Sequence, residues 1–183
     1  DIFTASCYNN FMEKVFFAKT ENFSDSERMI RKVFFEHYRI RDAVISRSET
    51  GKPFLENTPL FFSVTHTKET RFIAVSDENI GIDAELISRE IDYRPILSRF
   101  PFDEREEIKG KEDFLRHWTA IESTVKWLGG SLAADLKKIS FIGGKIFYSG
   151  LELPVCISVY QKDGHIVTLC REKGCDNTEF LSL

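Results

Sequence analysis

The sequence predicts an α+β fold of two pseudo-repeated lobes, each a helix packed on a small antiparallel sheet. Two observations predict it. One order of elements, a helix-period segment followed by short strand-like runs, occurs twice along the chain. No low-complexity tract or Pro/Gly-rich linker separates the two occurrences, so they read as halves of one body, about 1–86 and 87–183.

In the first half, Ser24 or Asp25 is placed to cap a helix running to about Ile40, with Ile30, Val33, Phe34 and Tyr38 on one side. Strand-like runs follow at Leu60–Thr65, Arg71–Ser76 and Ile80–Glu85. The polar loop Asp77–Asn79 between the last two reads as a hairpin connection. In the second half, Asp103–Lys109 is expected as a short helix with an acid-rich first turn. A longer helix spans about Lys111 to Leu128, stopped by Gly129-Gly130, with an apolar stripe of Leu115, Trp118, Ile121, Val125 and Leu128. Four strand-like runs come after it, at Lys138–Ile142, Lys145–Tyr148, Val155–Tyr160 and His165–Arg171. Lys162-Asp163-Gly164 forms the turn between the last pair.

Composition excludes several classes. The chain has 183 residues, 42% hydrophobic, with 17 Phe, which is enough apolar material for a packed core and too much for a disordered chain. A net charge of −4 lacks the global basic footprint of a nucleic-acid binder. The local run Arg28, Arg31, Lys32, Arg39, Arg41 reads first as a solvated helix face. Cys7, Cys156, Cys170 and Cys175 lack the paired spacing of a zinc site and are expected as free thiols of a reducing cytoplasm. No apolar run approaches the roughly 18 residues of a membrane span, and no signal peptide is recognised.

The most informative stretch is Ile80-Gly81-Ile82-Asp83-Ala84-Glu85. On a strand, Ile80, Ile82 and Ala84 point one way and Gly81, Asp83 and Glu85 the other. The carboxylate face is either a solvent-facing strand surface or a site for a divalent cation that removes the repulsion between the acids, with Gly81 leaving room for a ligand. On the long helix, Glu122 sits one turn before Lys126. The two form either an i,i+4 surface pair or a third carboxylate and a phosphate-binding ammonium facing the sheet. Gly51-Lys52-Pro53 is a rigid turn presenting a lysine, and Thr65-His66-Thr67-Lys68 ends a strand with groups suited to phosphate oxygens. His37, His117 and His165 have no recognisable partners.

In order, these pieces resemble the 4'-phosphopantetheinyl transferase superfamily, specifically its two-lobed surfactin-activator (Sfp) type. The family pattern of G-K-P, S-H-S, [VI]-G-[IV]-D-x-E and W-x-x-K-E-[SA]-x-x-K reads here as Gly51-Lys52-Pro53, Thr65-His66-Thr67, Ile80 to Glu85, and Trp118 to Lys126. The resemblance covers about residues 28–132. It implies the 4'-phosphopantetheinyl transferase fold, with the site at the junction of the lobes. It further implies a holo-carrier-protein synthase: Mg²⁺-dependent transfer of 4'-phosphopantetheine from coenzyme A, the donor substrate, to a serine of an acyl or peptidyl carrier protein.

Asp83, Glu85 and Glu122 are the implied Mg²⁺ ligands, Asp83 and Glu122 the catalytic residues, and Glu122 the general base. Lys52, Thr65, His66 and Lys126 are the implied contacts to the coenzyme A phosphates. A cytoplasmic monomer is implied, with no nucleic-acid or membrane partner. The arginine run Arg28–Arg41 becomes a candidate docking patch for an acidic carrier. Ile121 departs from the family lysine before the glutamate, which removes a cation near the site. That departure favours an alternative in which the chain binds carrier protein or coenzyme A without catalysis. The family's arginine at the start of the first helix has no counterpart at residues 22–24, where Arg28 and Arg31 are the candidate substitutes.

Overall fold

The structure is a computed structural model that describes residues 13–23, 25–56, 58–172 and 177–183. Cys7, Cys175 and the alternative helix cap Ser24 lie outside the described residues. Along the chain the elements are β1 (Glu13–Lys19), α1 (Ser26–Tyr38), β2 (Ile45–Arg47), β3 (Pro53–Leu55), β4 (Phe61–His66), β5 (Thr70–Ser76) and β6 (Ile80–Leu86). They continue as α2 (Arg94–Leu97), α3 (Phe102–Glu107), α4 (Lys111–Leu128), α5 (Leu132–Asp135), β7 (Ile139–Ile142), β8 (Lys145–Tyr148), β9 (Leu151–Glu152), β10 (Val155–Lys162), β11 (His165–Glu172) and β12 (Thr178–Ser182). The mixed α+β class expected from the sequence is what forms.

Two sheets carry the architecture. One has the order β12-β1-β5-β4, with β12 parallel to β1 and the other pairs antiparallel. The other has the order β10-β11-β6 and is antiparallel throughout. Alternation along the strands assigns their faces. In β1 and β5, Phe16, Ala18, Ile73 and Val75 join the core under α1, where Met29, Ile30, Val33 and Phe34 are buried. Their neighbours Val15, Phe17, Phe72 and Ala74 turn the other way and meet Ile80, Ile82 and Ala84 of β6 and Val167 and Leu169 of β11. The outer face of the second sheet, including Ile166 and Cys170, packs with Phe114, Leu115, Ile121 and Val125 of α4. The layers therefore run α1, sheet, sheet, α4, with apolar side chains filling each interface.

Local signals account for the helices. Asp25 caps α1, its Oδ1 accepting from the Arg28 N–H at 2.8 Å. The α4 helix occupies the range read from the sequence and stops at Gly129, whose φ of 67° is the left-handed conformation glycine accepts. Its stripe is wider than expected. Phe114, His117, Thr119, Ala120, Ser123 and Thr124 are buried as well, whereas Leu128 is exposed.

The expected β5–β6 hairpin does not form. β5 pairs with β1 and β4, while β6 crosses to the facing sheet and pairs with β11. Burying Ile80, Ile82 and Ala84 against the β1–β5 face requires β6 to lie in the opposite layer, so Asp77–Asn79 bridges two sheets. Each sheet thus contains a strand from the other half of the chain: β6 in one and β12 in the other. Among the described residues, no helix is long and apolar enough to cross a membrane.

Candidate active site

The edge strands β4 and β6 meet without a backbone ladder and are joined through side chains. Ser63 Oγ accepts from the Ile82 N–H at 3.2 Å, and Thr65 Oγ1 donates to Asp83 Oδ1 at 2.8 Å. Gly81 determines how closely α4 approaches the outer face of β6. A Cβ there would collide with the Ser123 carbonyl oxygen and lie 2.6 Å from Trp127 N. The glycine therefore makes room for the helix, which corrects the expectation that it makes room for a ligand. This contact brings Glu122 and Lys126 beside Asp83.

The resulting cleft has a volume of about 430 Å³. Thr65, His66, Asp83, Glu85, Glu122 and Lys126 line it, drawn from β4, β6 and α4. Ser26, Glu27 and Ile30 of α1 and Ile45 and Arg47 of β2 build the rest of the wall, with Pro53. Lys126 does not pair with Glu122. Its Nζ lies 2.7 Å from Asp83 Oδ1, the oxygen that Thr65 also bonds. Asp83 is 4% exposed, and this pair of donors answers the cost of burying it. Glu85 pairs with Arg89, Oε1 to Nη1, at 2.6 Å. Burial first, and then repulsion from the Asp83 carboxylate, push the Glu122 carboxyl up to about 7. Lys126 and Arg89 oppose that rise and Glu85 adds to it.

Lys52 stands apart from the other six. It lines a neighbouring cavity of about 210 Å³ that shares Pro53, Val64 and Lys126 with the cleft. Its Nζ is directed to Asn79 Oδ1 at 2.9 Å, and burial pulls the ammonium down to about 8. Arg28 and Arg31 do not line the cleft, and Arg31 Nη1 donates to the Ala43 carbonyl at 2.6 Å. Ile121 is fully buried in the core beneath α4. It does not line the cleft, so a lysine at this position would start from the core beneath α4.

Sequence reasoning missed Arg47, Glu27 and Arg89 as neighbours of the site. Arg89, four residues after Glu85, carried a legible spacing, whereas the three-residue strand that presents Arg47 did not. Two histidines gained partners. His117 Nδ1 lies 3.0 Å from Glu104 Oε1, and His165 Nε2 lies 3.1 Å from Thr67 Oγ1.

Among the described residues, no three His, Cys, Asp or Glu side chains form a ready-made metal cage. The chemistry of the donor set nonetheless fits a hard divalent cation. Three carboxylates line one cleft, and burial followed by repulsion from Asp83 raises Glu122, a cost that a cation would lessen. In the present arrangement Lys126 supplies that positive charge to Asp83.

No family model matches the chain. It is 35% identical over 92 residues to the 4'-phosphopantetheinyl transferase AcpT of Salmonella typhi, covering 45% of this chain and 48% of that protein. AcpT of Escherichia coli O157:H7 is likewise 35% identical over 92 residues, 45% of this chain and 47% of that protein. The 4'-phosphopantetheinyl transferase gsp of Aneurinibacillus migulanus is 31% identical over 111 residues, 56% of this chain and 46% of that protein. The chain spans about half the length of the curated relatives it matches. These similarities support the superfamily resemblance carried by the motifs.

Proposed function

We propose that this relative of the 4'-phosphopantetheinyl transferases is itself a holo-carrier-protein synthase, transferring 4'-phosphopantetheine from coenzyme A to a serine of an acyl or peptidyl carrier protein with Mg²⁺. One observation supports it most. Six of the seven residues that the family motifs single out line a single cleft, although they come from three separate elements.

In this reading Asp83, Glu85 and Glu122 hold Mg²⁺, which when bound neutralises charge developing on the pyrophosphate oxygens. Thr65, His66 and Lys126 orient those oxygens; Thr65 and Lys126 now give their donors to Asp83 and exchange that oxygen for phosphate. Glu122, which lines the same cleft, accepts the proton of the attacking serine hydroxyl. The serine oxygen bonds to the β-phosphorus of coenzyme A as the bond from that phosphorus to the bridging oxygen breaks. Adenosine 3',5'-bisphosphate leaves, and the carrier retains phosphopantetheine. The exposed arginines Arg28, Arg39 and Arg41 fit an acidic carrier, and the setting is a cytoplasmic monomer.

The test is to incubate the protein with coenzyme A, Mg²⁺ and apo carrier proteins of fatty-acid, polyketide and peptide type, and to weigh the carriers. The expected result is a gain of one phosphopantetheine that disappears in folded Asp83→Ala and Glu122→Ala variants. No gain on any carrier from folded wild-type protein overturns the reading. Binding of a carrier without mass gain would instead support the non-catalytic alternative.

A further inference from the structure

We infer that Lys52 is a positioning residue that pins the C-terminal end of α4 to the start of β6, and that it serves the reaction by placing Lys126 and Glu122 rather than by contacting a phosphate. The inference rests on the transferase reading for its kinetic consequence, but on the geometry of the clamp for its substance.

The last carbonyls of a helix lack intrahelical partners and carry its negative dipole end. In α4 the Val125 and Lys126 carbonyls are recovered by the returning chain: the Gly130 N–H reaches Val125 O at 3.0 Å and the Gly129 N–H reaches Lys126 O at 3.3 Å. The Trp127 carbonyl goes to side chains instead. Asn79 Nδ2 donates to it at 2.8 Å and Lys52 Nζ at 3.4 Å. Lys52 Nζ also donates to Asn79 Oδ1 at 2.9 Å and to Ile80 O at 3.5 Å. Lys52, Asn79 and Trp127 O thus close a triangle, and the three protons of the ammonium have three acceptors. Asn79 and Ile80 belong to the entry of β6, so the triangle ties that strand to the helix end.

The next residue of β6 after this tie makes the Gly81–Ser123 contact, and beyond it Lys126 Nζ reaches Asp83 Oδ1 at 2.7 Å. Both depend on how closely α4 lies on the strand. The Lys52 ammonium is directed to Asn79 Oδ1, Ile80 O and Trp127 O, and the residue does not line the carboxylate cleft. The other charged group lining its cavity is Lys126.

Four variants test the assignment: Lys52→Met, Lys52→Arg, Asn79→Ala and the Lys52→Met/Asn79→Ala double. Carrier-modification kinetics should show kcat about tenfold lower in Lys52→Met with KM for coenzyme A within about twofold, and Asn79→Ala, which removes no charge, should behave alike. The double should be within about twofold of either single, because one clamp is lost only once. Lys52→Arg, with room in the adjoining cavity and a cation still at the helix end, should recover most of the rate. Amide hydrogen exchange at Gly129 and Gly130 should quicken in Lys52→Met and Asn79→Ala alike, a readout that needs no turnover.

A KM for coenzyme A raised about tenfold or more in Lys52→Met, with kcat and exchange unchanged, would make Lys52 a phosphate contact and overturn the inference. If wild-type protein transfers nothing, the transferase reading fails separately. Exchange that quickens in both single variants then still supports the clamp, and exchange that stays unchanged refutes it.

Discussion

Lys126 follows Glu122 by one helical turn, yet its ammonium lies 2.7 Å from Asp83 Oδ1 on another element. The acid that a surface helix would offer as partner is passed over for a buried one across the cleft. A lysine and a divalent cation therefore compete for the same carboxylate. Lys126→Met is expected to bind Mg²⁺ several-fold more tightly by calorimetric titration, while its metal-free stability falls by about 1–3 kcal/mol because Asp83 loses a charged partner. Unchanged Mg²⁺ affinity would mean that the metal does not use Asp83.

Gly81→Ala puts a methyl group into the backbone of α4 at Ser123 and Trp127. Neither obstacle is a flexible side-chain end, so helix and strand must separate. The expected loss is about 3 kcal/mol or more in urea unfolding. Any folded fraction should modify carrier slowly, because Glu122 moves with the helix. A fully active, equally stable Gly81→Ala would contradict the close approach.

The titration of Glu122 predicts the direction of a pH effect. The unfolded chain releases this proton near the ordinary value of 4.5, whereas the folded chain holds it to about 7. Between those values the native state binds more protons, so stability falls as pH rises from 4.5 and levels off above about 7. After discounting for partial exposure, the penalty is about 1–3 kcal/mol. In metal-free urea unfolding, Glu122→Gln should remove this part of the slope between pH 5 and 8 and be the more stable protein at pH 8. An identical slope in the variant would show that the carboxyl titrates normally.

Ile121→Lys would restore the family residue type at a place where the structure has a core side chain of 0% exposure. A charge buried among Phe114, Leu115 and Ile166 has no partner there. The variant should lose about 3–5 kcal/mol and gain no rate per folded molecule. A stable variant with faster transfer would place position 121 at the cleft instead.

The legible parts of the molecule were those with local causes. Asp25 and the Gly129-Gly130 stop bound the two long helices, and Lys162-Asp163-Gly164 marks the β10–β11 turn. Alternation in β6 correctly separated Ile80, Ile82 and Ala84 from Asp83 and Glu85. Alternation assigns faces, however, and not neighbours, which is why β6 was expected beside β5 and is found beside β11. β1 was missed because it is buried on both faces and shows no alternation in Val15-Phe16-Phe17-Ala18. In the cleft, the acids announced themselves by type and spacing. The partner of Lys126, the neighbour that Gly81 accommodates and the acceptors of Lys52 are long-range facts that no local pattern encodes.

The β12 strand lies parallel to β1, with Glu13 opposite Thr178 and Phe17 opposite Ser182. On a ribosome, β1 emerges before β2 to β11 and must wait for all of them before its outer neighbour exists. Until then it offers an unzipped border to any passing chain, a hazard that chaperones or rapid completion of synthesis must cover.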